Sequence, residues 1–410
     1  MIGKWPLLKI QDFADVVGGG TPSSKISEYW GEDIPWVTPA DLSKHNFRFI
    51  SKGSRSLSLL GLEKSSAKLH PKGTILMSSR APIGYLAIAS NDLCTNQGFQ
   101  SLRCNSSIVN ESFVYYQLKN NIDKIKSVAS GSTFPEVSSK KVKGLCLPIP
   151  NLSTQKKIAS ILSAYDDLIE NNLKRIKLLE EKAQLTYEEW FVRMKYPGHE
   201  NDVVDSETGL PKGWTKYMLS EAANFLNGYA FKPKDLVEKG YPVIKIKEMK
   251  NGVVSDTPRN SGDLINEKYL VNKGDILFSW SATLEVIIWK EETGLLNQHL
   301  FKVTPKEPFK RSYVYLACKN ALKQFELLTT GATMKHIKRK ELDFVTANFP
   351  GARLMSSFEK EVEPLLEAMV RLKESIGQLN MAKDVLLPRL MSGMIDIDEI
   401  KYNYPKEILE

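Results

Sequence analysis

The chain of 410 residues is 42% hydrophobic and 25% charged, which excludes wholesale disorder and predicts two or three domains. No apolar run approaches the roughly 18 residues of a membrane-spanning helix. The four cysteines and five histidines show neither CxxC nor HExxH spacing, which disfavours a disulfide framework and a metal hydrolase. The net charge of +8 suits a polyanion partner, and the absence of a secretory signal leads us to expect a cytoplasmic protein.

Residues 1–150 alternate short apolar runs with Gly, Pro, Ser and Asn. Thr74–Met77 and Gly84–Ala89 have the composition of strands, and residues 111–127 have that of a helix. This mixture predicts a first α+β domain over 1–150. Three glycines at 18–20 predict a tight turn, because the strand–GxGxxG–helix context of a phosphate cradle is missing.

A long helix is predicted next, within a segment 151–195 that leads into a linker at 196–212. Ser153 can cap this helix, which runs to about Trp190 with almost no Gly or Pro. Its apolar positions follow coiled-coil spacing, with one polar interruption that is typical of a register-setting residue. The predicted seam is Ile158, Ile161, Tyr165, Leu168, Asn172, Ile176 and Leu179.

Residues 213–350 predict a second α+β domain, with a strand at Asp275–Trp280 and a helix over 311–328. Lys245 and Lys247 alternate with apolar residues, as on a strand with one basic face.

A second long helix is predicted within 351–395, followed by a tail at 396–410. Its apolar residues recur in steps of four and three, the pattern of a coiled-coil seam, and Lys383 is its one polar break. The predicted seam is Phe358, Val362, Leu365, Met369, Leu372, Ile376 and Leu379.

Two long helices with matched seams most simply pack against each other. An antiparallel pairing is favoured, because each helix must lead from one globular domain towards the other. The segment from Ser153 to Trp190 would span roughly 57 Å at the helical rise per residue. The alternative is two separate helices, each packed on its own domain.

An internal repeat of close to 200 residues organises the chain. Lys72–Leu76 returns as Lys273–Leu277, and Asn96-Gln97 returns as Asn297-Gln298, both 201 residues later. Pro150 returns as Pro350. The predicted fold class is therefore α+β: two tandem globular domains of mixed α/β character, related by a pseudo-twofold repeat and joined by two long helices that form an antiparallel coiled coil.

Six stretches, taken in order and together, form a recognisable set: Gly18–Ser23, Gly131–Thr133, Leu147–Pro150, Gln155–Ile158, Leu185–Phe191 and Leu386–Gly393. In order and doubled, they resemble the specificity (S) subunit of Type I restriction-modification systems over essentially the whole chain. The second domain departs from the pattern, because Leu226–Phe231 replaces the Gly-Thr-Pro turn. The second helix opens with Leu354–Ser357, where the first helix has a Gln.

This resemblance implies a protein that reads double-stranded DNA and does no chemistry itself. Each target-recognition domain would read one half of a bipartite, asymmetric site, and the helices would fix the gap between the halves. The helices would also dock two methyltransferase subunits, and restriction/translocase subunits would join that assembly. S-adenosylmethionine, ATP and magnesium are expected on those partners, with no cofactor, metal or membrane contact in this chain.

Two other functions stay open at this point. One is a self-contained DNA methyltransferase or nuclease, although the chain has neither a Pro-Pro dipeptide for an amino-methyltransferase loop nor a GxxxxGK[ST] phosphate loop. The other is a coiled-coil scaffold with two protein-binding domains. No nucleophilic triad is indicated.

The candidate DNA contacts are polar or basic residues of loops and basic clusters. The clusters fit phosphate neutralisation or a solvated helix face, and the recurring Asn-Gln pairs suit a shared structural role as well as base reading. Trp36 is more typical of a packing anchor. The candidates are Thr21, Ser23, Thr38, Lys44, Ser79, Arg80, Asn96, Gln97, Lys140, Lys141, Lys245, Lys247, Trp280, Asn297, Gln298, His299, Lys335, Lys338, Arg339 and Lys340.

Overall fold

A computed structural model describes residues 5–80, 82–131, 135–281, 284–328 and 339–397. The chain divides into two compact units. The first unit comprises Met1–Asn171 together with Ile376–Glu410, and the second comprises Asn172–Ser375. Both division points fall inside long helices, so each unit contains part of each helix.

Twelve strands of the first unit form two five-stranded sheets, ordered β3-β6-β4-β10-β7 and β2-β11-β8-β9-β5, and a separate antiparallel pair of β1 with β12. Strand β4 runs parallel to β10, so their carboxyl ends meet at one edge of the sheet. The strands are β1 Leu7–Lys9, β2 Ala14–Gly18, β3 Trp30–Gly31, β4 Ile34–Val37, β5 Phe49–Ile50, β6 Arg55–Leu57, β7 Leu69–His70, β8 Ile75–Met77, β9 Leu86–Ala89, β10 Leu93–Thr95, β11 Gln100–Cys104 and β12 Cys146–Pro148.

The helices of the first unit begin at residues that can cap them. Thr38 directly precedes Pro39, and its side chain accepts a hydrogen bond from the Asp41 amide. The side chain of Asn110 likewise accepts one from the Phe113 amide. The helix predicted over 111–127 is divided at Asn121. The helices are α1 Pro39–Ser43, α2 Leu59–Glu63, α3 Glu111–Asn120, α4 Ile122–Ser127, α5 Ser139–Gly144 and α6 Leu152–Tyr187, which continues into the second unit.

Helix α6 begins two residues earlier than its predicted cap implied. The side-chain oxygen of Asn151 accepts a hydrogen bond from the Thr154 amide at 2.9 Å, so Asn151 caps the helix and Ser153 lies inside it. At its other end, α6 passes into one π-helical turn at Glu188–Val192.

The main core of the first unit lies between its second sheet and three helices. Phe113 and Tyr116 of α3, Ile158 and Leu162 of α6, and Leu390 near the end of the second long helix are all buried in one cluster. The far C-terminal part of the chain therefore completes the core of the N-terminal domain.

Ten strands of the second unit repeat this topology as two four-stranded sheets, β14-β21-β18-β19 and β16-β15-β20-β17, and the antiparallel pair of β13 with β22. Strand β15 is parallel to β20, as β4 is to β10. The strands are β13 Thr215–Met218, β14 Ala223–Asn227, β15 Tyr241–Ile244, β16 Arg259–Asn260, β17 Leu270–Val271, β18 Ile276–Ser279, β19 Glu285–Ile288, β20 Gly294–Leu296, β21 Leu300–Pro305 and β22 Thr346–Phe349.

The prediction of a basic strand at Lys245 and Lys247 is wrong. Strand β15 ends at Ile244, and Lys245 precedes a short helix whose first turn is closed by a hydrogen bond from the Lys245 amide to the Glu248 carboxylate. The helices of the second unit are α7 Leu219–Ala222, α8 Ile246–Asn251, α9 Arg311–Leu328 and α10 Ala352–Met391, which ends in the first unit.

The two long helices are antiparallel partners. In the second unit Asn172 lies opposite Ser375, with 3.4 Å between the side-chain nitrogen and oxygen, and Phe191 beyond the end of α6 contacts Phe358 near the start of α10. In the first unit Asp166 pairs with Lys383. Rising numbers on one helix match falling numbers on the other, so the pairing excludes helices packed only on their own domains.

The predicted seams are displaced from the burial pattern at two places on α6 and at one place on α10. Leu168 is 53% exposed, whereas Ile169 is buried, and Leu162 is more deeply buried than Ile161. The true order passes through Ile158, Leu162, Tyr165, Ile169, Asn172, Ile176, Leu179 and Ala183, which keeps the steps of four and three. On α10, Leu366 is buried beside the predicted Leu365.

These observations confirm the fold class, an α+β chain with tandem domains joined by two long paired helices. Within the described ranges, no helix has the length and apolar character to cross a membrane.

Candidate nucleic-acid interface

In the first unit, two turns meet where the strands before them end. The turn after β2, residues 19–23, lies against the turn after β10, residues 95–98. The Gly20 amide donates to the Thr95 carbonyl at 2.9 Å, and the Asn96 amide donates to the Val37 carbonyl at 3.1 Å. We name these two segments the first turn pair.

The second unit builds the same arrangement from residues 228–231 after β14 and 296–299 after β20, the second turn pair. The Tyr229 amide donates to the Leu296 carbonyl at 2.8 Å, and the Asn297 amide donates to the Ile244 carbonyl at 3.1 Å. These two backbone hydrogen bonds correspond to those of the first turn pair, and the second pair adds a bond from the Gln298 amide to the Tyr229 carbonyl at 3.0 Å. The chain therefore repeats a backbone platform although the second domain lacks the Gly-Thr-Pro sequence.

Each turn pair depends on a glycine at its closest backbone approach. A Cβ added to Gly19 would overlap the carbonyl oxygen of Asn96, and one added to Gly228 would overlap the carbonyl oxygen of Asn297. Only a residue without a side chain permits this contact. Gly228 was not a predicted site residue, although its place directly after a strand was a usable signal.

Two indole groups donate hydrogen bonds to the backbone of the first turn pair. Trp36 is buried, and its Nε1 donates to the Gly20 carbonyl at 3.0 Å, which confirms it as a packing anchor. Trp30 Nε1 donates to the Ser23 carbonyl at 3.2 Å, and the Arg55 guanidinium lies 3.3 Å from the centre of the Trp30 ring. The sequence did not indicate this role of Trp30, because its strand pairs with residues far along the chain.

A buried histidine also supports the first turn pair. His70 Nε2 lies 3.2 Å from Thr95 Oγ1, directly before Asn96. Burial, together with the nearby charges of Arg103 and Lys68, lowers the pKa of His70 to about 4. The imidazole is therefore neutral at physiological pH.

The exposed surface of the first turn pair is polar. Thr21 Oγ1 donates a hydrogen bond to Gln97 Oε1, so the structure brings these two predicted residues together. Ser23 and Lys44 are exposed. Hydroxyl and amide groups can hydrogen-bond to base edges, and an ammonium group can contact a phosphate.

Thr38 is occupied as the cap of α1. Its hydroxyl donates to the Asp41 carboxylate at 2.6 Å. Burial raises the pKa of Asp41, but hydrogen bonds from Thr38 and Ser54 outweigh it and leave that pKa below its ordinary value. Thr38 therefore has a structural role beside the first turn pair.

The exposed surface of the second turn pair is more aromatic. The half-buried Trp280 donates from Nε1 to Asn227 Oδ1 at 3.1 Å, and its ring centre lies 5.7 Å from that of the exposed His299. Gln298 Nε2 lies 3.4 Å from His299 Nε2. Tyr229, which the sequence reasoning missed, contributes a further exposed ring. Such groups can bond base edges and pack on apolar base surfaces.

Three predicted contacts are corrected by burial or bonding. Ser79 is fully buried, and Asn297 is buried beneath the second turn pair, so neither can reach a nucleic acid. Asn96 Oδ1 accepts from the Gly98 amide at 2.9 Å, which closes the turn. The recurring Asn is therefore structural, and the following Gln is the surface residue. Arg80 is half-buried, 3.6 Å from Glu136.

The predicted basic residues have different positions. Lys140 and Lys141 are exposed on α5, and Lys141 Nζ donates to the Val128 carbonyl. Lys247 lies on α8, and its Nζ is 2.8 Å from the carboxylate of Asp256. Lys335 and Lys338 lie outside the described residues, and Arg339 and Lys340 open a short 3-10 helix, Arg339–Phe344.

Among the described residues, no group of three His, Cys, Asp or Glu side chains is placed to hold a metal ion. Cys94 and Cys318 are buried, and burial raises the pKa of each thiol, to about 11 and about 12. A protonated, buried thiol is a poor nucleophile.

Known proteins resemble this chain along most of its length. The model of the Type I restriction modification DNA specificity domain matches residues 2–181 and 211–351. The MjaIX specificity subunit of a Type I restriction enzyme from Methanocaldococcus jannaschii is 32% identical over 97% of this chain and 94% of its own. The HindI specificity subunit from Haemophilus influenzae is 24% identical over 82% of this chain and 89% of its own.

A solved structure agrees in fold. The S subunit of a Type I restriction-modification system from M. genitalium superposes with a TM-score of 0.60 at 18% identity, covering 95% of this chain and 96% of that one. These matches confirm the family that the sequence motifs predicted. The chain belongs to the Type I restriction modification DNA specificity domain family, the non-catalytic, DNA-recognising component of Type I restriction-modification systems.

Proposed function

We propose that each turn pair reads one half of a bipartite, asymmetric target in double-stranded DNA. The observation that carries this proposal is the recurrence of one backbone platform under different side chains. Thr21 and Gln97 cover the first turn pair, whereas Gln298, His299 and Trp280 surround the second. A constant platform with variable donors and rings suits two readers of different sequences.

The test is an exchange of one reader. Residues 213–350 are replaced by the corresponding domain of a relative, and methylated adenines are mapped in DNA from cells that carry the chain with its methyltransferase partner. We expect one half of the split motif to change and the other half to stay. Simultaneous change of both halves would contradict independent reading.

We further propose that the helices dock two methyltransferase subunits, and that restriction/translocase subunits join the assembly in the cytoplasm. S-adenosylmethionine, ATP and magnesium then belong to those partners. Support comes from exposed leucines on α6: Leu178 and Leu185 lie one heptad apart, beside a groove of about 440 Å³ that includes Trp190 and Glu361. Apolar side chains that are exposed in the isolated chain and aligned along a helix are typical of a surface that binds another protein.

Co-purification tests this surface. Leu178→Asp with Leu185→Asp should reduce recovery of the methyltransferase subunit at least about tenfold, because burying two carboxylates in an apolar contact is costly. Leu59→Asp is the matched control, since Leu59 is an equally exposed leucine of the first recognition domain. Equal loss in the control, or full recovery in the double variant, would contradict docking at this groove.

A further inference from the structure

A buried ion pair joins the two long helices in the first unit. Lys383 Nζ lies 2.6 Å from Asp166 Oδ1, and the two side chains are only 9% and 14% exposed. Lys383 occupies a seam position of α10, four residues after Leu379, and Asp166 directly follows the seam residue Tyr165 on α6. A charged pair in this position needs an explanation, because removing two charges from water is costly.

The pair belongs to a network that reaches the first recognition domain. Asp166 Oδ2 accepts from the Tyr116 hydroxyl of α3 at 2.6 Å. Arg48, which follows α1, donates to the same hydroxyl at 3.2 Å and to Asp167 at 2.9 Å. Burial raises the pKa of Tyr116, and the Asp166 carboxylate raises it further, so the hydroxyl remains a donor.

The second unit shows that packing does not require these charges. The residues 200 positions away from Tyr116, Asp166 and Lys383 in the repeat are Leu316, Leu366 and Ala183. All three are buried, with at most 1% of the side chain exposed. An apolar set therefore fills the corresponding place in the same fold.

What the charges add is discrimination between helix registers. A seam with steps of four and three presents apolar residues again after a shift of seven residues. Such a shift would carry Lys383 from Asp166 towards Ala159 or Leu173, and both charges would lose their partner. The apolar residues of the seam do not oppose that shift, whereas a buried unpaired charge does.

We propose that Asp166 and Lys383 are positioning residues that select the register of the two helices in the first unit, and that Arg48 and Tyr116 transmit this register to the first recognition domain. The functional consequence rests on the proposed reading of a bipartite site. It is that this network restricts the complex to one gap between the half-sites.

The test replaces the polar set with apolar side chains, which at positions 166 and 383 are those of the second unit. The triple variant Tyr116→Phe, Asp166→Leu, Lys383→Ala removes the polar set, and Asp166→Leu alone leaves the lysine buried without its partner. We expect the single variant to melt about 10 °C lower and the triple variant to recover that loss. A triple variant that melts as low as the single one would show that the pair serves packing, and the proposal would fail.

Register is measured directly with spin labels at the exposed positions Asn171 and Val385, with the half-buried Cys104 and Cys146 replaced by serine. Pulsed electron–electron distance measurements on the full chain should give one distance in the parent. The triple variant should add a second population, displaced along the helix by about 10 Å, one heptad. A single unchanged distance would overturn the proposal. The conservative variant Lys383→Arg, which keeps a cation beside Asp166, should retain the single population of the parent.

The functional readout is methylation, by the assembled enzyme, of DNA in which the gap between half-sites is varied. The triple variant should accept gaps up to about three base pairs from the preferred one, since a heptad matches about that length of B-DNA. An unchanged gap preference together with two spin-label distances would remove the functional consequence and leave the register assignment. Failure of the parent to discriminate gaps would instead count against the proposed reading of a bipartite site.

Discussion

The two turn pairs share a backbone but differ in what holds and covers them. The first is supported by the indoles of Trp36 and Trp30 and covered by polar groups. The second is covered by rings, and the indole of Trp280 bonds a side chain, Asn227, at the surface. The repeat therefore preserves the backbone platform, whereas the side chains that support and cover it differ between the two units.

The recurring Lys-Gly motif, Lys72-Gly73 in the first unit and Lys273-Gly274 in the second, also belongs to the repeated backbone. Gly73 donates to the Ala89 carbonyl and Gly274 to the Trp289 carbonyl, each at 2.8 Å, and both glycines have positive φ. In the second unit, Lys302 of β21 donates a hydrogen bond to the carbonyl of Leu270 on β17, the strand directly before the Lys-Gly motif. The strongest sequence landmark of the repeat is thus a folding motif.

The largest effect is expected from filling the close approach in one turn pair. Gly19→Ala forces a Cβ onto the Asn96 carbonyl and should cost about 3 kcal/mol in the first unit and abolish site-specific methylation. Gly228→Ala should do the same through the second unit. The controls are Gly144→Ala and Gly377→Ala, where an added Cβ meets no atom within 4 Å. Tolerance of either turn variant would contradict the shared platform.

The next largest expected effect is a loss of stability at low pH in the first unit, which contains His70. Because the pKa of His70 lies near 4, below its ordinary 6.5, the unfolded chain takes up the proton first. Stability present above pH 6.5 is therefore lost as pH falls towards 4, by up to about 3 kcal/mol. Amide hydrogen exchange of β10 should report this loss, and His70→Gln should remove it. An equal acid response in that variant would assign the effect to other groups.

A smaller effect is expected from the indole hydrogen bonds. Trp36→Phe leaves the buried Gly20 carbonyl without its donor and should destabilise the first unit by about 1–2 kcal/mol. Trp280→Phe should cost less than about 1 kcal/mol, because water can replace the bond to the exposed Asn227. Urea unfolding of each variant measures the difference. Equal losses would show that the two platforms are supported alike.

The smallest effect is a change in salt dependence. Lys44→Ala should weaken DNA binding by the assembled methyltransferase uniformly across sequences and reduce the slope of log affinity against log salt by about one. Lys64, which is paired with Glu63 at 2.8 Å, provides the control substitution Lys64→Ala. An unchanged slope would remove Lys44 from the phosphate contacts.

The sequence predicted the architecture well because repetition and heptad spacing are local patterns. Helix α9 has the predicted bounds, and the seam of α10 is displaced only at Leu365, where the neighbouring Leu366 is buried. On α6 the choice between Ile161 and Leu162, or Leu168 and Ile169, could not be made from spacing, since adjacent apolar residues fit either register. The side on which the partner helix lies decides between them.

The site was harder to predict because it forms from distant segments. Thr21 and Gln97 were candidates and do meet, but the sequence could not show that Ser79 and Asn297 are buried. Lys247 was placed on a strand because alternation over a few residues also fits one turn of helix. The roles of Trp30 and His70 depend on pairings across the sheet and have no local signature.

The composition of the first core has a consequence for synthesis. Leu390 and Met391 fill a cluster whose other members include Phe113 and Tyr116, and Gln117 donates to the Met391 carbonyl. The second unit is one continuous stretch of chain, whereas the first waits for residues after Ser375. On the ribosome, the later-made unit can therefore mature before the earlier one, and a message truncated at that point would yield a first domain with its interior open to chaperones and proteases.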